Sequence, residues 1–80
     1  MKRKRVKLIE RKLGRERAYG TQEPGLITID PRLKRKRRLN VVIHEALHEA
    51  YPDLTESKVL RGAGKIADVV WRDNWRRVEQ

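Results

Sequence analysis

The chain has 80 residues, of which 21 are Lys or Arg and 11 are Asp or Glu, so its formal net charge at pH 7 is +10. A chain of this length forms one domain, here residues 1–80. Because its core is small, we expect its folding stability to depend on a bound metal or another cross-link. Cysteine is absent, which excludes disulfides and thiolate metal sites. With no secretory signal and no apolar run of about 18 residues, we expect a cytoplasmic protein without a membrane-spanning segment.

The N-terminal part of the chain is predicted to form short strands joined by turns. Residues 1–5 are a basic segment that we expect to be disordered. Alternating apolar and charged residues over 6–9 predict a first strand, and 15–19 is predicted as a second, short one. Glycine and proline over 20–25 predict a turn, and the β-branched run over 26–30 predicts the clearest strand.

Residues from 33 onward follow a helical period. Apolar side chains recur every three or four residues up to Ala50, which predicts an amphipathic helix that ends before Pro52. A second helix is predicted after Asp53, with an apolar stripe that continues to Val78. Together these elements predict an α+β fold, in which a small two- to three-stranded antiparallel sheet packs against two helices.

A basic run occupies the first turns of the predicted first helix. Its members are Arg32, Lys34, Arg35, Lys36, Arg37 and Arg38. Together with the net charge, such a run is typical of surfaces that contact the phosphate groups of nucleic acid. With 40% charged residues, the composition equally fits a surface that provides solubility or many ion pairs. The sequence leaves both interpretations open.

The only two histidines of the chain lie four positions apart, in the segment HEALH at 44–48. On a helix, side chains at this spacing lie one above the other with Cβ atoms about 5–6 Å apart, so both imidazoles can bind one zinc ion. Glu45 is rotated by about 100° from His44 and can exchange a proton with a water that the metal binds. Random placement gives this arrangement in about 0.2% of cases. The alternative is structural, with one histidine in the core and the other exposed.

The segment VVIHEALH, residues 41–48, resembles the active-site helix of the zincin metallopeptidases, which has an apolar flank followed by H-E-x-x-H. Zincins usually carry an uncharged residue at the position of Glu49. Over residues 25–72 the chain is also similar to very small zincin-like proteins, often encoded by phages, and to minimal gluzincins, or minigluzincins. The resemblance implies zinc-dependent hydrolysis of peptide bonds on an active-site helix, with His44 and His48 as metal ligands and Glu45 as general base.

A catalytic zinc usually has three protein ligands, and Glu56 is the best candidate for the third. An antiparallel return after Pro52 brings the chain back to the level of the histidines near residue 58, and the likeness to gluzincins also implies a glutamate on the next helix. Glu56 has an alternative interpretation, because residues 53–56 fit a capping box with Asp53 as N-cap. Asp53 is itself a second candidate, as a ligand or as a hydrogen-bond partner of a histidine.

Three further features have two interpretations each. Tyr51 is suited to stabilising an oxyanion or to packing, half-buried, at the end of the helix. The strand at 26–30 resembles the edge strand with which zincins pair an extended substrate, but it also fits an ordinary core strand. Trp75 is suited to stacking on a base or to packing beneath arginine side chains.

These observations favour a zinc-dependent metallopeptidase that acts on a peptide or protein substrate. The first alternative is a basic nucleic-acid-binding module whose metal site is structural or vestigial. A second alternative is a partner-binding protein that has the same fold without turnover.

Overall fold

The computed structural model describes residues 5–14 and 19–78. Within these ranges the elements are β1 (Lys7–Glu10), β2 (Gly20–Glu23), β3 (Leu26–Ile29), α1 (Arg35–Ala50) and α2 (Glu56–Arg72). The predicted α+β fold is confirmed. Residues 1–4 of the segment expected to be disordered, and residues 15–18 of the predicted second strand, lie outside the described residues.

The sheet has the strand order β1-β3-β2, so β3 is its central strand. β1 runs parallel to β3, with Lys7 opposite Leu26, whereas β2 runs antiparallel to it, with Glu23 opposite Leu26. The sheet is therefore mixed, and the prediction of a purely antiparallel sheet is wrong in this detail. A parallel pair requires a connection longer than a hairpin, and the chain between β1 and β3 provides it by including β2.

β2 occupies residues for which the sequence predicts a turn. The strand continues to Glu23, and the turn is reduced to Pro24 and Gly25. Gly25 has a φ of +80°, the left-handed conformation that the third residue of a type II turn requires. The sequence Gly-Thr-Gln-Glu has a weak strand propensity, so pairing with β3 determines its conformation.

The core lies between β3 and α1. Ile27 and Ile29 on β3 are 5% and 0% exposed, and they pack with Leu33 from the following loop. α2 contributes a fully buried stripe of small side chains spaced by four residues: Val59, Ala63 and Ala67. Because these side chains are small, α2 can pack closely against α1.

α1 and α2 form an antiparallel pair. Lys36 in the first turn of α1 forms an ion pair with Asp68 near the end of α2, at 2.9 Å. At the other end, a short corner over residues 51–55 joins the helices. The last turn of α1 therefore lies beside the first turn of α2.

The first turn of α2 is capped by Thr55. Its hydroxyl oxygen accepts a hydrogen bond from the backbone N–H of Lys58 at 3.2 Å. The capping-box interpretation, in which Asp53 is the N-cap and Glu56 bonds back to it, is therefore wrong. Glu56 is instead the first residue of the helix, where a negative charge is favoured by the helix dipole.

α2 ends earlier than predicted. The backbone N–H groups of Asn74 and Trp75 donate to the carbonyl oxygens of Trp71 and Val70 at 3.0 and 3.3 Å, and Asn74 has a φ of 63°. This is the hydrogen-bond pattern of a Schellman motif, which ends a helix through a left-handed residue. Val78, the last residue of the predicted stripe, lies beyond the helix and is 80% exposed.

A buried aspartate connects the end of β3 to the loops on either side. The Asp30 side chain is 0% exposed and accepts hydrogen bonds from the backbone N–H groups of Leu13 (3.1 Å) and Arg32 (2.9 Å). The Arg32 guanidinium donates two more, at 2.9 and 2.6 Å. These hydrogen bonds, led by those from the Arg32 side chain, hold the pKa of the Asp30 carboxyl well below its usual range.

We expect the Asp30→Asn variant to be less stable than the wild type at neutral pH, with a Tm lower by at least about 5 °C. A carboxyl whose pKa is depressed by folding stabilises the protein above its unfolded pKa of about 3.9, and this contribution is lost as the pH falls towards the folded value. The difference in Tm between wild type and variant should therefore narrow below about pH 4. Thermal unfolding from pH 7 to 2 measures it, with the exposed Asp53→Asn as matched control. A difference that is independent of pH would contradict this role.

Candidate metal centre

The two histidines lie on the same face of α1, one turn apart. Their ring centroids are 5.0 Å apart, and the ring planes meet at 63°. The side chains of His44 and His48 are 16% and 24% exposed, so both rings are sheltered but can be reached from solvent. Val41 and Val42, which precede the histidines in α1, pack against the core. This packing fixes the rotation of α1 and therefore the direction in which the two histidines point.

Glu56 completes a cluster of three potential metal ligands. One carboxylate oxygen lies 2.9 Å from Nε2 of His44, and the other lies 2.8 Å from Nε2 of His48. The ligand atoms of the three residues are all within 4.8 Å of one another. The structural alternative, with one histidine in the core and the other exposed, is therefore wrong, because both side chains are partly exposed and both contact Glu56.

The donor set fits a zinc ion. Zinc binds histidine nitrogen and carboxylate oxygen at about 2.0–2.2 Å, which places tetrahedral ligand atoms about 3.3 Å apart. In the structure, the Glu56 oxygens lie 2.9 and 2.8 Å from the two Nε2 atoms, and the three ligand atoms lie within 4.8 Å of one another. Two imidazoles and one carboxylate also leave a fourth position for water, the usual composition of a catalytic zinc site.

The corner between the helices places Glu56 at this level. The backbone N–H of Tyr51 donates to the carbonyl oxygen of Leu47 at 2.9 Å, and that of Leu54 donates to the carbonyl oxygen of Tyr51 at 3.0 Å. Because of this tight turn, the chain reverses direction directly after α1. Thr55 is the N-cap of α2, so Glu56 is the first residue of that helix. The sequence predicts that the chain returns to the level of the histidines near residue 58. In the structure this residue is Glu56, two positions earlier.

Glu45 lies beside the cluster on the side that faces the sheet. It is 9% exposed, and its side chain lies against Gly20 of β2. Burial raises the pKa of the Glu45 carboxyl, an effect that His44 and His48 oppose and Glu56 reinforces. A carboxylate in this position can accept a proton from a group held at the three ligands.

Gly20 at the start of β2 determines how closely the sheet approaches Glu45. A Cβ atom at this position would lie 2.7 Å from Cγ1 of Val41 and 3.3 Å from Oε2 of Glu45. Only glycine therefore allows β2 to pass over this part of α1 without displacing side chains. Sequence reasoning placed Gly20 in a turn, and no local signal in the sequence connects it with Glu45.

Glu49 has a structural role that sequence reasoning also missed. One of its carboxylate oxygens accepts hydrogen bonds from Nε2 of Gln22 (2.9 Å) and from the backbone N–H of Gly25 (2.8 Å). The charged residue after the second histidine therefore fixes the β2–β3 hairpin to α1. This connection holds β2 in position beside the cluster.

The two auxiliary candidates are not part of the cluster. Tyr51 is 59% exposed, so the expectation that it packs half-buried is wrong, while its role towards an oxyanion stays a prediction. Asp53 is exposed, and no hydrogen bond joins it to His44 or His48 in the described part of the chain. Glu56, rather than Asp53, contacts both imidazoles.

The predicted substrate-pairing strand is not at an edge. β3 has β1 on one side and β2 on the other, so the interpretation of 26–30 as an edge strand is wrong, and that of a core strand is right. In the described residues, β2 is the edge strand on the side of Glu45.

The basic run does not form one uniform surface. Arg32 is paired with Asp30 and Lys36 with Asp68, while the guanidinium of Arg37 stacks over the ring of Tyr19 at 4.2 Å. Arg38 is buried and forms an ion pair with Glu10 at 3.0 Å, which makes it a structural residue. Of the six candidates, Lys34 and Arg35 are exposed and have no charged partner among the described residues.

Arginine does cover a tryptophan near the end of α2, but not the predicted one. The guanidinium of Arg76 lies 3.5 Å from the centroid of the Trp71 ring. Trp75 is 67% exposed, and its Nε1 donates to the Asp73 carboxylate at 3.0 Å. The prediction that Trp75 packs beneath arginine side chains is therefore wrong.

Comparison with known proteins found no family model, no curated protein and no solved structure that matches this chain. None of the helices in residues 5–14 and 19–78 is both long and apolar enough to cross a lipid bilayer.

Proposed function

We propose that the protein is a zinc-dependent metallopeptidase of the H-E-x-x-H type. The observation that carries the proposal is the convergence of His44, His48 and Glu56, whose ligand atoms lie within 4.8 Å of one another. Glu45, adjacent in sequence to the first histidine, is 9% exposed and lies close enough to the three residues to interact with their charges. The donor set and the neighbouring carboxylate together are the composition that zinc-assisted hydrolysis requires.

In this proposal the residues of the site have two roles, metal binding and proton transfer. His44, His48 and Glu56 hold the metal, which when bound supplies a water of lowered pKa and an electrophile for the carbonyl oxygen. Glu45 accepts the proton of the attacking water at its carboxylate and returns it to the nitrogen of the leaving amine. Because the burial of Glu45 excludes most bulk solvent, the proton remains available for this second transfer.

The edge of β2 is the proposed binding site for the substrate backbone. An extended peptide can pair with an exposed strand edge through main-chain hydrogen bonds, which give affinity without strong side-chain selectivity. Gly20 places the start of this strand against Glu45. A peptide paired with β2 therefore passes close to Glu45, the residue that accepts and returns the proton.

Nucleic-acid binding with a structural metal site is the second candidate. It is supported by the net charge of +10 and by the exposed Lys34 and Arg35. It takes second place because Arg32, Lys36 and Arg38 are paired with carboxylates of the same chain. Such pairing lowers the number of cations available for phosphate contacts.

Hydrolysis of an unfolded protein, such as casein, by the zinc-loaded chain tests the proposal. We expect cleavage that stops when a chelator removes the metal and returns when zinc is added, because without the metal the water keeps a pKa far too high for Glu45 to deprotonate it at neutral pH. Peptide mapping by mass spectrometry detects the products. Cleavage that persists in the metal-free protein would contradict the proposal, as would a zinc-loaded protein that cleaves nothing.

A further inference from the structure

A groove lies where the beginning of α1, the end of α2 and β1 meet. It has a volume of about 590 Å³, within the range of sites that enclose a ligand or a peptide side chain. Its apolar walls consist of Leu8, Leu39, Val42, Trp71 and Trp75. Leu8 and Trp75 are 50% and 67% exposed, so the groove presents apolar side chains to solvent.

Arginines surround the groove. They are Arg35, Arg38, Arg76 and Arg77. The carboxylate of Glu10 pairs with Arg38 at 3.0 Å and approaches Arg77 at 3.7 Å, and that of Asp73 accepts from Nε1 of Trp75 at 3.0 Å. Four guanidinium groups against two carboxylates leave the rim positive, so the groove favours an anionic ligand with an apolar part.

Arg35 is held in an unusual conformation at this rim. Its φ is +54°, in the left-handed region that residues with a Cβ rarely adopt. Its side chain has no hydrogen bond or ion pair with the described residues. The N-cap, Lys34, makes no side-chain cap hydrogen bond, and the first turn of α1 contains no acid, so the positive end of this helix adds to the field of the arginines. Local strain next to an unpartnered cation is typical of a ligand site.

The apolar walls of the groove suit an apolar side chain better than a nucleic acid base. Leu8, Leu39 and Val42 are aliphatic, and the guanidinium of Arg76 already covers one face of Trp71 at 3.5 Å. β1, which carries Leu8, is an edge strand of the described sheet. An edge strand offers main-chain donors and acceptors to a peptide, which a base or an acyl chain would not use.

The groove begins near the metal centre on α1, where Val42 lies two residues before His44, and extends away from it. At its far end, Trp71 lies fifteen residues beyond Glu56 on α2, which corresponds to about 22 Å along the helix axis. Even this longest distance is spanned by about seven residues of extended chain. A single polypeptide can therefore occupy the groove and the metal centre at the same time.

We propose that this groove docks a segment of a partner protein in which acidic residues flank one large apolar side chain. The apolar side chain fills the space between Leu39 and Trp75, and the carboxylates contact the arginines at the rim. If the protein is a peptidase as proposed above, the partner is its substrate, and the groove supplies the selectivity that backbone pairing with β2 lacks. The docking itself does not depend on hydrolysis.

The test measures binding to the full-length Glu45→Gln protein by fluorescence anisotropy. The probe is a labelled dodecapeptide with a central Phe flanked by Asp and Glu. We expect Arg35→Ala and Trp75→Ala each to weaken its binding about tenfold. Lys65→Ala is the matched control, because it removes one exposed positive charge of α2 outside the groove, and it should bind like the unmodified protein. Replacing Phe in the probe by Ser should weaken binding by about tenfold as well.

Two results would overturn the proposal. One is tighter binding of a short oligothymidylate that displaces the peptide, which would assign the groove to nucleic acid. The other is equal weakening by Arg35→Ala and Lys65→Ala, with no effect of the Phe replacement, which would show attraction by net charge alone. Because none of these measurements uses catalysis, failure of the peptidase proposal does not change their outcome.

Discussion

We expect the Glu45→Gln variant to hydrolyse peptides about 10³-fold more slowly than the wild type while it retains its zinc ion. Glutamine has the shape of glutamate but cannot accept a proton, and Glu45 is not among the residues that converge as ligands. The loss should fall on kcat, because Glu45 acts on the proton of the attacking water and not on the binding of the peptide. Steady-state cleavage of a quenched fluorescent peptide, with metal content measured on the same samples, tests both parts.

Asp53→Asn is the matched control for this substitution. It removes one negative charge from an exposed position in the corner between the helices and should leave kcat unchanged. A Glu45→Gln protein that is as active as the wild type, or that has lost its zinc, would show that Glu45 is not the general base.

The Glu56→Ala variant should bind zinc at least about 100-fold more weakly than the wild type. The carboxylate contacts both Nε2 atoms at 2.9 and 2.8 Å, so its removal reduces the site to two histidines. Asp53→Ala removes a negative charge from the corner before α2 and should leave the zinc affinity unchanged. Competition with a chromophoric chelator measures the affinities, and a larger loss in Asp53→Ala would contradict the assignment of Glu56.

Thermal unfolding separates the two roles of Glu56. At the first position of α2 it also favours the helix, by roughly 0.3–1 kcal/mol, and this part should appear in the metal-free protein. Zinc should raise the Tm of the wild type, because we expect it to bind the folded state. In Glu56→Ala this increase should be largely lost, whereas a small change confined to the metal-free protein would mean that Glu56 only stabilises the helix.

Much of the fold follows from local patterns in the sequence. α1 and α2 have a strong helical period, and the β-branched run of β3 predicts the strand that becomes the buried centre of the sheet. β2 could not be predicted in the same way, because its strand conformation comes from pairing with β3 and not from its own residues. The parallel pairing of β1 with β3 is also non-local, since β2 lies between them in sequence.

The metal centre was predictable to a similar degree. The histidine pair follows from spacing on a helix, since residues four apart share a face. The role of Glu56 depended on which residue caps α2, and Asp53 and Thr55 both have side chains suited to capping. The structure uses Thr55, which makes Glu56 the first helical residue. The contact of Gly20 with Glu45 and the apolar groove could not be predicted, because each joins segments that are far apart in sequence.

The central claim is that His44, His48 and Glu56 form a zinc site, and a zinc titration tests it most directly. Isothermal calorimetry on the metal-free wild type, followed by metal analysis after dialysis, gives the stoichiometry and the affinity. We expect a single zinc ion per chain in the wild type and no retained zinc in His44→Ala or His48→Ala. A wild type that retains no zinc, or histidine variants that bind it as tightly as the wild type, would contradict the claim.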